Sequence, residues 1–483
     1  MMKRNLRLVA TPRLMRCRTG ALLSLAFVSL GVATTVWGQT TDAVKWDSEL
    51  RLGKTQPIGM ALNNADAIVA DAKRRVHIVW HNAIDTGATT PTVELHYVRL
   101  LDHGAKAEDM RPLTRTAGRS SSAGISVGPG DTLDMVWRES EGREQSYVAH
   151  MRSKDGGETW SEIHRVSPFE SIGCPAGYTD PKGDIHIVWQ KEISPRNEKS
   201  FYATSTDGGK TWSEPMPIHN TDRELSSFPS IAGRHGRVLL VYRGGIRPQI
   251  NVYFRALDLS TGEWTEPVMV SDGKLRAWDP TITIDDSGAL HVVYQRANAP
   301  TPTFAPAEDD AGSIPPGAGK SPEGPGQKGK GLVAEGQKGK SKGFAKGAAK
   351  GGAKAGGPGA GGRVDPADPH IYYARSDDGG KTWLLSQLGV RNSRFARIEA
   401  AKGDWLTAFW EDGPSNLRTA GGDIWNPKEK KWIGNFNANT TDQDASFAQA
   451  TLDDAGWLHV LWIDRRSGGP EIYYRRGRVL GMP

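Results

Sequence analysis

The chain has 483 residues, with 16 Trp, 57 Gly and a formal charge of +6. Abundant glycine and tryptophan without long helical apolar stretches exclude a helical bundle and favour many short strands joined by tight turns. The charge does not mark a nucleic-acid-binding domain: the first 38 residues hold Lys3, Arg4, Arg7, Arg13, Arg16 and Arg18 and no acid, so the remainder is close to neutral.

Those basic residues precede the apolar run Ala21 to Val36 and the small-residue exit at Gly38, the pattern of a secretory signal peptide over residues 1–38, cleaved before Gln39. The apolar run is shorter than the roughly 20 residues a membrane span needs. Cys17 leaves with the leader. Cys174 then stands alone, so no internal disulfide forms.

From His77 onward a short apolar strand ending in an aromatic residue recurs: His77 to Trp80, Asp134 to Trp137, His186 to Trp189, Leu239 to Tyr242, His291 to Tyr294, Thr407 to Trp410 and His459 to Trp462. Successive copies lie about 52 residues apart, except for one interval more than twice as long. The long interval contains residues 297–369, rich in Pro, Gly, Ala and Lys, with the duplicated runs Gly326 to Lys330 and Gly336 to Lys340. That composition cannot bury enough apolar surface to offset ordering, so a disordered insertion is expected there. Its lysines suit contact with a polyanion. The propeller would comprise residues 39–296 and 370–483.

Each aromatic strand follows an acidic or glycine turn such as Asp285 to Gly288, and precedes a third strand such as Ile371 to Arg375. A fourth strand follows a second turn with a sharper signature. It reads Ser153, Asp155, Gly157, Thr159, Trp160 in one copy, Ser205, Asp207, Gly209, Thr211, Trp212 in another, and Ser376, Asp378, Gly380, Thr382, Trp383 in a third. Asp accepts amide hydrogen bonds, Gly takes positive φ, and Trp wedges between neighbouring units. Weaker copies run from Asp258 to Trp264 and from Asp423 to Trp432.

The last unit ends before its own box. Val44 to Leu52, which reads like Thr159 to Val166, can supply the missing strand. The expected fold is therefore all-β: a β-propeller of four-stranded antiparallel blades, seven in number with six as the alternative, its ring closed by the N-terminal strand.

The boxes resemble the bacterial-neuraminidase repeats of the sialidase superfamily, which implies a structural role for the boxes and an axial ligand face at the ends of the aromatic strands. Arg138, Arg243, Arg296, Arg465 and Arg466 fall there and suit an anionic or polyhydroxylated glycan, because guanidinium pairs bidentately with carboxylate. The resemblance further implies three arginines on the substrate carboxylate, a Tyr–Glu nucleophile pair and an Asp acid/base. The family's Arg-Ile-Pro sequence in the first blade is absent: residues 57–62 contain no Arg. Arg243, Arg397 and Arg465, with Glu399, Glu411 and Asp464, are the candidates for a rebuilt catalytic set. The reading is thus an exported, glycan-engaging propeller with an incomplete catalytic motif, with exo-sialidase or related glycoside hydrolase activity, or an assembly scaffold, as alternatives. No cofactor or metal motif is present; His77, His186, His291 and His459 recur because the unit recurs.

Overall fold

The computed structural model describes residues 43–52, 57–59, 65–84, 92–116, 118–141, 145–170, 172–194, 197–219, 224–298, 369–389, 392–414, 417–440 and 444–483. The leader expected at 1–38 and the insertion, save Ala297, Asn298 and Pro369, lie outside the described residues.

The described residues are all-β apart from the 3-10 turn Pro129–Asp131. The simplest unit runs Ile172–Thr179, Ile185–Ser194, Asn197–Ser205 and Met216–Pro217, hydrogen-bonded in chain order. The same meander recurs from Arg119–Gly128, Leu225–Arg234, Ala277–Ile284, Arg394–Ala401 and Ser446–Leu452, each the first strand of its own set. An earlier unit places Pro57–Gly59 and Ile68–Ala70 on Val76–Ile84, which pairs with Thr92–Leu101. A parallel pair between Val93 and Arg119 joins that unit to the next in one ten-stranded sheet.

Where residues 299–368 interrupt the chain, Leu290–Arg296 and His370–Ser376 pair directly from Arg296 opposite His370 to Leu290 opposite Ser376. At the end of the chain, Glu471–Val479 takes Val44–Trp46 along its free edge, Val44 opposite Val479 and Trp46 opposite Gly477. Val44 is buried there, and Trp46 packs on Phe436 with ring centroids 5.9 Å apart.

The boxes fold as their residue types require. Asp207 accepts from the Thr211 amide at 3.0 Å, the Thr211 hydroxyl at 2.6 Å and the Ser205 hydroxyl at 2.8 Å. Asp378 repeats this with Thr382 and Ser376. Gly157 has φ +88, and a Cβ there would come 1.9 Å from the Tyr97 hydroxyl, so glycine is needed for space as well as for conformation. Each box tryptophan stands edge-on to the third strand of the preceding unit: Trp160 on Tyr97, Trp212 on His150, Trp383 on Phe254. The weaker boxes act likewise, with Trp264 on Tyr202 and Trp432 on Tyr373. These contacts make the units interlock.

The recurring histidines are internal struts. Tyr97, Tyr202, Tyr373 and Tyr474 approach Nδ1 of His77, His186, His291 and His459, each at 2.7 Å. Nε2 of His77 and of His291 faces Asp71 at 3.0 Å and Asp285 at 2.9 Å. A carboxylate only accepts, so Nε2 carries the proton and the tyrosine hydroxyl donates to Nδ1.

First strands share one irregularity. Opposite the aromatic end of the second strand the register slips, and a non-glycine residue turns left-handed: Ser122, Cys174, Phe228, Asp279, Phe395 and Phe447, with φ between +48 and +55. Such bulges bend the strand and re-aim the residues before it.

Candidate functional site

Second strands run from the first hairpin to their aromatic ends and third strands return to the boxes, so the aromatic ends and the boxes lie at opposite ends of each unit. The residue just after the aromatic is polar in nearly every copy. Most of these side chains hold the fold together. Gln190 accepts from the amide of Phe228 in the next unit at 2.9 Å. Glu411 accepts from the Ala448 amide at 3.0 Å and from Arg418 at 2.9 Å, and burial raises its pKa. Gln295 donates to Asp279 at 2.8 Å.

The arginines singled out in the sequence are placed as follows. Arg243 donates to Ser227 at 2.9 Å and to Glu198 at 3.0 Å, its guanidinium 4.5 Å from the Phe228 ring centre. Arg296 donates to Asp272 at 2.8 Å over Tyr372. Arg466 donates to Asp464 and reaches Glu49 at 2.5 Å. Arg465, its neighbour, is exposed.

Arg397 lies on a first strand and pairs with Asp66 at 3.2 Å, within electrostatic reach of Glu399. Burial, then the Asp66 charge, pushes the Glu399 carboxyl up to about 8, despite hydrogen bonds from Thr451 and the Leu452 amide. Arg243, Arg397 and Arg465 thus occupy three separate settings, two of them already facing carboxylates. Tyr473 reaches Glu471 at 3.4 Å, but on a third strand, beneath Arg466.

A different part of the same end gathers cations. Arg138 and His81, both in the position after the aromatic, share the neighbourhood of Arg119, at the start of a first strand. Burial and the Arg119 charge press the His81 pKa down to about 4, so its imidazole is neutral at physiological pH. Burial opposes the protonated form of Arg138, Cys174 favours it, and Arg119 opposes it more weakly than Cys174 favours it. Arg138 Nε and His81 Nδ1 are shielded from solvent and find no partner among the described residues. On the other face of the strand pair that carries His81, Asn82 Oδ1 and His96 Nδ1 also find no partner among the described residues, in residues only 5% and 7% exposed. His96 lies against Trp80 with ring centroids 5.9 Å apart.

Sequence reasoning had marked Arg138 but passed over Arg119 and His96. Arg119 opens its first strand as Arg394 opens Arg394–Ala401, whereas the other corresponding strands open with Ile172, Leu225, Ala277 or Ser446, so the sequence alone did not single it out. Among the described residues no group of His, Cys, Asp and Glu could hold a metal ion.

Residues 203–214, one box with the strand before it, match the family model of the BNR/Asp-box repeat. Among solved structures the chain resembles a polysaccharide lyase of family PL25, an ulvan lyase, at 10% identity and TM-score 0.55, over 88% of this chain and 95% of that one. The same lyase bound to -[GlcA(1-4)Rha3S]- gives TM-score 0.53 at 10% identity over the same shares. The polysaccharide lyase Uly1 gives TM-score 0.53 at 10% identity, over 90% and 100%. No curated protein matches the sequence. The repeat is thus the BNR/Asp box, and the fold is like that of these polysaccharide lyases.

Proposed function

We propose that this chain is an exported seven-bladed Asp-box propeller that engages an anionic polysaccharide on the face opposite its boxes, without sialidase chemistry. Export rests on the leader-like residues 1–38, and among the described residues no helix is long and apolar enough to cross a membrane. The seven-blade reading is supported by the first strands, each lying against the next, with Ser446–Leu452 against Ile68–Ala70. On that reading Val44–Trp46 completes the last blade and closes the ring.

One observation carries the ligand class: Arg119 lies within electrostatic reach of both Arg138 and the neutral His81, and Arg138 Nε and His81 Nδ1, shielded from solvent, find no partner among the described residues. Desolvated polar atoms and like charges are costly unless a ligand completes them. A carboxylate or sulfate on a sugar does so, and the neutral His81 adds a hydrogen bond to a hydroxyl. One of the structural neighbours is a lyase bound to a glucuronate and sulfated-rhamnose fragment, a ligand of this charge type. The lysines of residues 320–354, in the insertion between Leu290–Arg296 and His370–Ser376, add a salt-screened attraction for the same polymer.

The test is calorimetric titration of the mature chain with a tetrasaccharide of alternating glucuronate and sulfated rhamnose, and with a neutral tetrasaccharide. Mass spectrometry of the recovered sugar reads cleavage separately. Salt-sensitive binding of the anionic sugar alone is expected; binding of neither, or of both equally, would end the proposal.

A further inference from the structure

Arg119, opposite Ser140, lies within electrostatic reach of one like charge, Arg138 of the same paired strand, and of the neutral His81 imidazole. The backbone around it is held tightly. Arg119 pairs antiparallel with Ser140 and parallel with Val93. Glu139, only 1% exposed, accepts from Thr116 at 2.7 Å and Ser120 at 2.5 Å, on either side of Arg119, and from the Trp137 indole at 2.9 Å. Gly118 fits beneath this carboxylate: a Cβ there would come 2.6 Å from Glu139 Oε1 and 2.4 Å from the Ser140 carbonyl.

We propose that Glu139 is the positioning residue of this cationic group, clamping the chain on both sides of Arg119 so that its guanidinium stays within reach of Arg138 and His81. The inference rests on reading Arg119, Arg138 and His81 as the anion site. An ionised carboxylate is suited to the task because every group aimed at it is a donor, and charge-assisted bonds are the strong ones. Glutamine at 139 would remove the charge from all three bonds and turn an amide donor toward Thr116, whose hydroxyl would then have to accept, so the clasp is weakened throughout.

The fold supplies a matched comparison. Asp412 also accepts from the indole of its strand's aromatic, Trp410, at 2.8 Å, and from Ser393 at the start of its unit's first strand. It makes the same clasp away from Arg119.

The test uses the full mature chain, Glu139→Gln and Asp412→Asn, with amide hydrogen exchange and titration by the sulfated glucuronate–rhamnose tetrasaccharide over a range of salt. Expected for Glu139→Gln are faster exchange at residues 118–121, at least tenfold weaker binding and a shallower salt dependence. Asp412→Asn should speed exchange near Ser393 and leave affinity within twofold. Fast exchange at 118–121 with undiminished affinity would reduce Glu139 to a structural strut, and unchanged exchange would show that it clamps nothing. Equal losses of affinity in both variants would point to a general loosening. If the wild type binds no anionic sugar while exchange responds as expected, the anion-site reading fails, and the positioning role falls with it.

Discussion

Trp160 stands edge-on to Tyr97 with ring centroids 5.5 Å apart, although the two belong to successive four-stranded units. Tyr97 is 1% exposed and also donates to His77, so the box of one unit buttresses the interior of its predecessor. Trp160→Ala should cost about 3 kcal/mol, toward the low end for a large aromatic because Trp160 is only partly buried. Urea denaturation checks it; a loss below about 0.5 kcal/mol would mean that the box stabilises only its own turn.

His81 gives a pH prediction with a clean variant, since its Nδ1 makes no bond to lose among the described residues. Its folded pKa of about 4 lies below the unfolded value of about 6.5, so the unfolded chain binds the proton more readily. Stability from this group is complete above pH 6.5 and drains away as pH falls toward 4. His81→Gln should therefore gain on the wild type as pH is lowered, by about 2 kcal/mol at pH 5. The buried His77, His186 and His459 shift in the same direction. Parallel stability curves for wild type and variant between pH 7 and 5 would refute the assignment.

Glu399 should behave in the opposite sense. Its folded carboxyl holds a proton up to about pH 8, whereas the unfolded one releases it near 4.3. Stability falls as pH rises through that window, so Glu399→Gln, which keeps the acceptor for Thr451, should match the wild type near pH 4 and exceed it by at least 1 kcal/mol at pH 8. Thermal melts across pH 4 to 8 decide it, and a variant less stable than wild type at pH 8 would show that the ionised form is the one the fold uses.

Removing residues 43–52 would bare the edge of Glu471–Val479 along the pairs Val44–Val479 and Trp46–Gly477. An open edge of this length templates pairing with another chain. The truncated protein should melt at least 10 °C lower and form oligomers by light scattering. A monomer with an unchanged melting temperature would show that the N-terminal strand is dispensable.

Standard sialosides should be released slowly or not at all. Of the arginines available for a carboxylate clamp, Arg243 is paired with Glu198 and Arg397 with Asp66, so neither offers a free guanidinium. A fluorogenic sialoside assay reads this directly; robust turnover abolished by Arg243→Ala would overturn the noncatalytic reading.

The repeat was legible because it is written in local chemistry: a turn that needs Asp and Gly must display them, and an aromatic that ends every second strand recurs at a fixed spacing. The degenerate copies at Trp264 and Trp432 were legible for the same reason, and both tryptophans take up the wedge. The cationic group around Arg138 was legible only in part. Polarity at the strand ends marked Arg138, Arg243 and Arg466 alike, yet what separates them is whether another unit supplies a carboxylate. Glu198 and Glu49 do so for Arg243 and Arg466 from far away in the sequence. Arg119 escaped notice because it lies at the start of a strand, and its importance comes from Glu139, which reads in isolation as one more surface acid.

The pairing of Val44 with Val479 also sets how the molecule bears mechanical load. The strands are antiparallel, and the chain enters one and leaves the other at the same end, so tension between the two termini pulls the Val44–Val479 pair apart before it reaches Trp46 and Gly477. Hydrogen bonds loaded in this way break one after another rather than together. Tethered by both ends, the protein would yield at low force, starting at the pair Val44–Val479; tethered by one end, as on a surface, that seam would carry no load.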